Sequence, residues 1–356
     1  MKTARALLAV LCTFCVTRSL IAAADLAGAA AIPPPSPRGA APPSSSPDPK
    51  RAELRKKLET TLTLLASDLQ GACGYVIRDL ESGETFERDG DAVFPAASTI
   101  KLPIFIELYK RAEEGGIDLE RPVTIDPTAR VEGGGVLEKW TAPYPVLSAR
   151  QLSVLMMDFS DNYATNLLTD LVGMDDVGRR LRDWGFKDTL LRRKMMDLEA
   201  ARAGRENVTT AREMAALLER LHRGGLLNPD HTQAVIDVMK RNEGTPIKRG
   251  LPPGVEAADK DGELDGLRCD SGIVFVEAVP APAGAGGAAR PLVISVMTAY
   301  LEDDAAGETF ISAVTRAAYR YVRMSQNSTG YGRRMAGSLR GRLDQRVARG
   351  TVPDCR

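Results

Sequence analysis

The chain has 356 residues, 44% of them apolar and 26% charged, enough for one large domain or two modest ones with a sizeable core. Its 47 basic and 47 acidic residues cancel, which argues against a nucleic acid or other polyanion held by net charge. With only two histidines, His222 and His231, no metal site or cofactor is implied, and chemistry falls to Ser, Lys, Asp and Glu.

Residues 1–24 set Lys2 and Arg5 before an apolar run from 6 to 16 and end in Ala22, Ala23 and Ala24. This is the pattern of a cleaved secretory signal peptide, its apolar run too short to span a bilayer, and it predicts a periplasmic or secreted protein. Its removal leaves 44 basic against 47 acidic residues. Residues 25–50, dense in Pro and Ser, read as a semi-extended linker, because few apolar side chains are there to offset the entropy of ordering. Over 51–69, Leu54, Leu58, Leu62, Leu65 and Leu69 recur at three- and four-residue steps and predict a helix with one apolar face. A strand at 74–80, a turn at 81–84 and a second strand through Phe86 follow. Residues 96–248 read as mainly helical, most clearly at 152–168, 176–184, 210–221 and 231–239, with a capping box at Thr210 to Glu213 and a long loop at 186–209. Strands return at 256–260, 272–278 and 292–299, and a helix at 307–321 closes a domain predicted to span 51–325. An α/β part formed by 51–95 and 249–325 would thus enclose the helical part, its sheet completed by distant segments. Cys73 and Cys269 read as small buried apolar residues, with Cys355 the third cysteine of the mature chain. Residues 326–356 carry seven Arg against Asp344 and Asp354, a solvated basic tail whose functional reading is weak envelope contact.

Three polar clusters carry the chemistry. Ser98 and Lys101 stand three residues apart at a helix start, on one face. A serine hydroxyl attacks only when a base takes its proton, and a lysine serves once burial or a nearby cation lowers its pKa. Fifty-nine residues after Lys101 comes Ser160-Asp161-Asn162, which in isolation reads as a helix N-cap. Asp259-Lys260-Asp261-Gly262 lies at a strand end before Glu263, where a lysine can meet an anionic group.

The order SxxK, SDN, KxG, with Val136-Leu137 before a helix and Leu251-Pro252-Pro253-Gly254 before the lysine strand, resembles the serine β-lactamase and penicillin-binding protein superfamily, and most closely the class A β-lactamases. The resemblance spans about residues 51–323. It implies an α+β, three-layer fold: a mostly antiparallel sheet flanked by helices, an all-helical subdomain, and a groove at their junction. It implies Ser98 as acylated nucleophile, Lys101 as base or proton relay, and Ser160 as proton donor to the leaving nitrogen. Asn162 would hold the substrate amide, Lys260 and Gly262 would serve a substrate carboxylate, and the amides of Ser98 and Glu263 would form the oxyanion hole.

Two departures stand out. Counting back from Thr209-Thr210 puts Lys194 where class A enzymes carry the glutamate that activates the deacylating water, and Leu198 where its asparagine partner is expected. Asp197, Glu199 and Glu206 are the local substitutes, each read first as a solvated loop charge. Asp261 stands where a hydroxyl is usual and would repel a substrate carboxylate. The expected function is a monomeric serine hydrolase opening a β-lactam or related amide or ester, acylation equipped and deacylation not. The alternatives are a penicillin-binding or D,D-peptidase-like protein acting on cell-wall peptides, and an envelope binding module without chemistry.

Overall fold

A computed structural model describes residues 49–141, 143–278 and 288–326. The expected signal peptide, the linker as far as residue 48 and the basic tail beyond 326 lie outside the described residues; Pro49 and Lys50, assigned to the linker, instead begin the first helix.

In chain order the elements are α1 (Pro49–Asp68), β1 (Ala72–Asp79), β2 (Thr85–Arg88), β3 (Val93–Pro95), a 3₁₀ turn (Ala97–Ile100) running into α2 (Lys101–Glu113), β4 (Pro122–Val123), β5 (Leu147–Ser148), α3 (Ala149–Asp158), α4 (Asn162–Val172) and α5 (Met174–Asp183). Then come α6 (Leu198–Arg202), β6 (Val208–Thr210), α7 (Ala211–His222), α8 (Pro229–Met239), α9 (Pro246–Arg249), β7 (Glu256–Leu264), β8 (Leu267–Val276), β9 (Arg290–Ala299) and α10 (Asp304–Gln326). The helix predicted over 152–168 is two helices, broken at Ser160 where the backbone takes a left-handed turn (φ 50°). The capping box at Thr210 is half formed: its hydroxyl accepts from Glu213 N, but the Glu213 carboxylate accepts from the amides of Lys187 and Asp188.

The main sheet runs β2-β1-β9-β8-β7, every pair antiparallel, so the first strands of the chain pair with the last. Period-two alternation sends neighbouring side chains to opposite faces. Tyr75, Ile77, Val274, Ile294 and Val296 meet Leu58 and Leu62 of α1 and Phe310 and Val314 of α10. Val76, Ile273, Val293 and Met297 face the other way, into the larger core shared with α2, α3, α4 and α7. The result is the three-layer α/β/α arrangement expected from the motif order, with a mostly antiparallel sheet. Helix α2 lies so deep that Lys101 to Tyr109 are all buried, the signature of a helix apolar on every side. That depth fixes the environment of Lys101. At the other border β7 is an edge strand, whose outward amides have no ladder partner and are available to a ligand.

Candidate active site

Ser98 sits in the 3₁₀ turn, half-buried, just before α2, and Lys101 is the first residue of that helix, fully buried. Lys101 Nζ lies 3.1 Å from Ser98 Oγ, 2.7 Å from the Ser160 carbonyl oxygen, 2.9 Å from Ser160 Oγ and 3.0 Å from Asn162 Oδ1. Ser160 Oγ donates to Ser98 Oγ at 3.0 Å, closing a triangle of two hydroxyls and one amine. Burial, and then the charge of Lys260, hold Lys101 well below its ordinary pKa, with Asp161 and Asp261 opposing the shift. The carbonyl and amide oxygens can only accept, so a neutral amine fits three of the partners, two protons for Ser160 O and Asn162 Oδ1 and a lone pair for the Ser98 hydroxyl, while Ser160 Oγ is served by its bond to Ser98 Oγ.

Asp161 explains how the second cluster reaches the first. Its Oδ1 caps α4 through Ala164 N at 2.8 Å, while Oδ2 accepts from Val136 N and Leu137 N, each at 2.7 Å. Asn162 Nδ2 donates to Gly133 O at 3.0 Å. The N-cap reading of this cluster is realised, and the same three residues bring Ser160 and Asn162 within hydrogen-bond reach of Lys101. Among the described residues five non-glycine residues have positive φ, and three of them border this site: Ala97 (45°), Ser160 (50°) and Met196 (64°). Such backbone is costly and persists where the surroundings dictate it.

The third cluster arrives on β7. A Cβ at Gly262 would stand 2.8 Å from Ser98 N, so only glycine lets the strand pass this close to the nucleophile's amide. Glu263 follows with an exposed side chain on the same edge strand. Lys260 is 1% exposed, and its Nζ donates to Asp261 Oδ1 at 2.7 Å. Burial raises the Asp261 carboxyl, but the Lys260 charge and bond outweigh it, and the carboxyl falls below the usual range. Behind the strand Asp259 and Asp270 are completely buried and pushed upward, in both mainly by burial. Lys248 lies 3.0 Å from Asp259 and caps the end of α8 through the carbonyls of Met239, Lys240 and Asn242. This support of the lysine strand carries no motif and was missed in the sequence.

All seven expected site residues belong to this junction: Ser98, Lys101, Ser160 and Asn162 in direct contact, Gly262 against the Ser98 amide, and Lys260 and Glu263 on the same strand. Lys194 does not. One face of α4 makes a ladder of contacts: Asn162 with Gly133, then, on the long loop, Asn166 bonded to both Met195 N and Met195 O, and Asp170 paired with Lys194 at 2.6 Å. Asp170 lies eight residues past Asn162, about 12 Å along the helix, and the Lys194 side chain is 44% exposed. Met195, held by Asn166, and Met196, against Gly133, thus lie closer along α4 to Asn162 than Lys194 does. Met195 is buried, and a Cβ at Gly133 would meet Met196 Sδ at 2.5 Å and Asn162 Nδ2 at 3.3 Å, so the thioether shares that glycine with the active-site amide. Counting from Thr209 failed because the register is set by side-chain clamps. Arg193 is bidentate with Glu206 at 2.8 and 3.0 Å, and Asn207 holds the backbone of Arg192 and Arg193. Of the loop's carboxylates, Glu206 is spent on Arg193, Asp197 caps α6 through Ala200 N, and Glu199 is exposed.

A profile described as the β-lactamase enzyme family matches residues 54–322. The chain is 28% identical over 172 residues to the β-lactamase regulatory protein BlaB of Streptomyces cacaoi, an alignment covering 48% of this chain and about half of that protein (54%). It is 27% identical to β-lactamase CARB-3 of Pseudomonas aeruginosa over 62% of this chain and 78% of that enzyme. The solved structure of PBP-A superposes with a TM-score of 0.66 at 27% identity, covering 75% of this chain and 96% of PBP-A; a point mutant of PBP-A, solved as an acyl-enzyme complex with penicillin G, matches with the same TM-score at 26% identity over 77% and 97%. Motif order, sheet and site geometry agree with these likenesses: the chain belongs to the β-lactamase enzyme family.

Proposed function

We propose that this chain is an exported serine hydrolase that opens a β-lactam or a related amide or ester through a Ser98 acyl-enzyme, and that it releases the acyl group slowly. The observation that carries the reading is the closed triangle of Ser98 Oγ, Lys101 Nζ and Ser160 Oγ around a buried amine. Neutral Lys101 takes the Ser98 proton as Oγ bonds to the carbonyl carbon. The amides of Ser98 and Glu263 receive the oxyanion. Collapse breaks the carbon–nitrogen bond, Ser160 gives its proton to the leaving nitrogen, and the Lys101 ammonium restores the Ser160 proton. Asn162 orients the substrate amide. Export is supported by the signal-peptide pattern of residues 1–24, and no described helix is long and apolar enough to cross a membrane.

Slow release is supported by the stretch beside Asn166 and Gly133, where Met195 is bonded through its backbone to Asn166 and Met196 Sδ borders Gly133, so it supplies thioethers and no water-activating carboxylate. The same observation favours a second reading, a penicillin-binding or D,D-peptidase-like protein, and the likeness to PBP-A supports it. Incubation with penicillin G and weighing of the intact protein separates the cases. An adduct that Ser98→Ala abolishes supports acylation; decay within seconds refutes slow release and points to an efficient lactamase, and persistence over hours favours the peptidase-like reading. Absence of both adduct and turnover, with penicillin G and with its primary carboxamide, refutes both.

A further inference from the structure

Lys260 is the cation available to a substrate anion, yet its charge is already matched. Asp261 Oδ1 accepts from Lys260 Nζ at 2.7 Å and from Asn242 Nδ2 at 3.2 Å. The lysine side chain is 1% exposed and that of Asp261 37%, so an arriving ligand meets the carboxylate first. A buried ammonium with a fixed carboxylate partner gains little by exchanging it for a diffusing anion that must also be desolvated. The neighbouring strand offers no second cation. Opposite Lys260 is Ser271, its hydroxyl shared with Ser295 at 2.9 Å, and opposite Asp261 is the buried Asp270. Arg268 of β8 turns to Asp304 and Glu308 of α10. Arg241, exposed at the end of α8, faces Asp158.

Resting on the reading of Ser98 as the acylated nucleophile, we propose that Asp261 makes this end of the site select acyl donors bearing a hydrogen-bond donor, a carboxamide or an ammonium, in place of a carboxylate. Such a group donates to Asp261 without displacing Lys260, and the lysine charge keeps Asp261 ionised to receive it. A carboxylate there meets a like charge instead.

Penicillin G and its primary carboxamide test this, since they differ only at that group. Acylation of Ser98 is timed by intact mass in the native chain, in Asp261→Thr and in the isosteric Asp261→Asn, with folding checked by thermal melting. The carboxamide-to-carboxylate rate ratio should fall tenfold to roughly a hundredfold in both variants, the worth of one hydrogen bond to a charged group. Comparing ratios cancels the different ring reactivities of the probes. A fall of less than tenfold overturns the selectivity while leaving Ser98 acylation intact. No adduct with either probe in the native chain removes the Ser98 reading and this inference with it.

Discussion

Replacing Lys101 by Met tests the chemistry most directly, because the side chains are similar in length and only the amine is lost. The amine has oxygen neighbours at 2.7, 2.9, 3.0 and 3.1 Å, one more than an ammonium has protons. A neutral amine donates to Ser160 O and Asn162 Oδ1 and accepts from Ser98 Oγ, while Ser160 Oγ is served by its own bond to Ser98 Oγ, which is the arrangement a general base requires. Positioned general bases contribute roughly 10²–10⁴ in rate, or about 3–5 kcal/mol of barrier. Lys101→Met should therefore slow Ser98 acylation about a thousandfold. Ser160 O and Asn162 Oδ1 lose a donor, costing about 1–3 kcal/mol each, but relief of the amine's burial offsets part of this and the variant should fold. The assay is acylation by penicillin G followed between pH 5 and 10. In the native chain the lowered pKa moves the acid limb of the rate, where the amine gains a proton, to lower pH than an ordinary lysine would give. In Lys101→Met that acid limb disappears. Lys101→Arg, permanently charged, should not rescue the rate. A native rate still climbing toward pH 10, or a Lys101→Arg rate within tenfold of native, would refute the assignment of Lys101 as base.

Three further outcomes follow from the loop and its surroundings. Met195→Glu places a carboxylate on the loop residue fastened to Asn166, and should shorten the lifetime of the Ser98 adduct by about 10²-fold or more; an unchanged lifetime by time-resolved mass measurement would clear the loop's apolar residues of blame. Arg193→Ala breaks a bidentate pair whose arginine is 7% exposed, and should cost about 3 kcal/mol in urea unfolding, with loss of amide protection across 192–207. Burial pushes Asp158 from 3.8 to about 6 against the attraction of Arg241, Lys248 and Lys260. With the folded value above the unfolded one, its stabilising contribution is full below about pH 4 and is lost as pH rises through 6, so Asp158→Asn should be more stable than native at pH 8 by about 1 kcal/mol after solvent screening, the difference vanishing at pH 4.

Several features of the molecule are local and could be read in one dimension. The leucine spacing of 54–65 lies within α1, with Leu69 one residue past its end, and the alternation at 74–79 and 292–299 falls on β1 and β9. Ser98 and Lys101 share a helical turn whatever the rest of the chain does. Their kinship with the SDN and KDG clusters was legible from order alone, since neither cluster signals by itself. Strand ends were not legible: β7 continues past Lys260 to Leu264 because pairing with β8 across Asp265-Gly266 extends the ladder, a long-range gain invisible in the composition of 261–264.

The loop shows the limit most clearly. Counting backward from Thr209 assumes a fixed number of residues per unit of space, but its path is drawn by Asn166, Arg193 with Glu206, and Asn207, each acting across thirteen to twenty-nine residues of sequence. Those clamps carry Lys194 out to Asp170 and leave Met195 on Asn166 and Met196 against Gly133. The amino-acid order alone determined which reactive groups exist and which lie one helical turn apart, because helical and strand periodicity act over a few residues. Burial, charge neighbours and register belonged to the tertiary structure: only packing α2 in the core could depress Lys101, and only the approach of β7 could set Lys260 near it with Asp261 already on its ammonium.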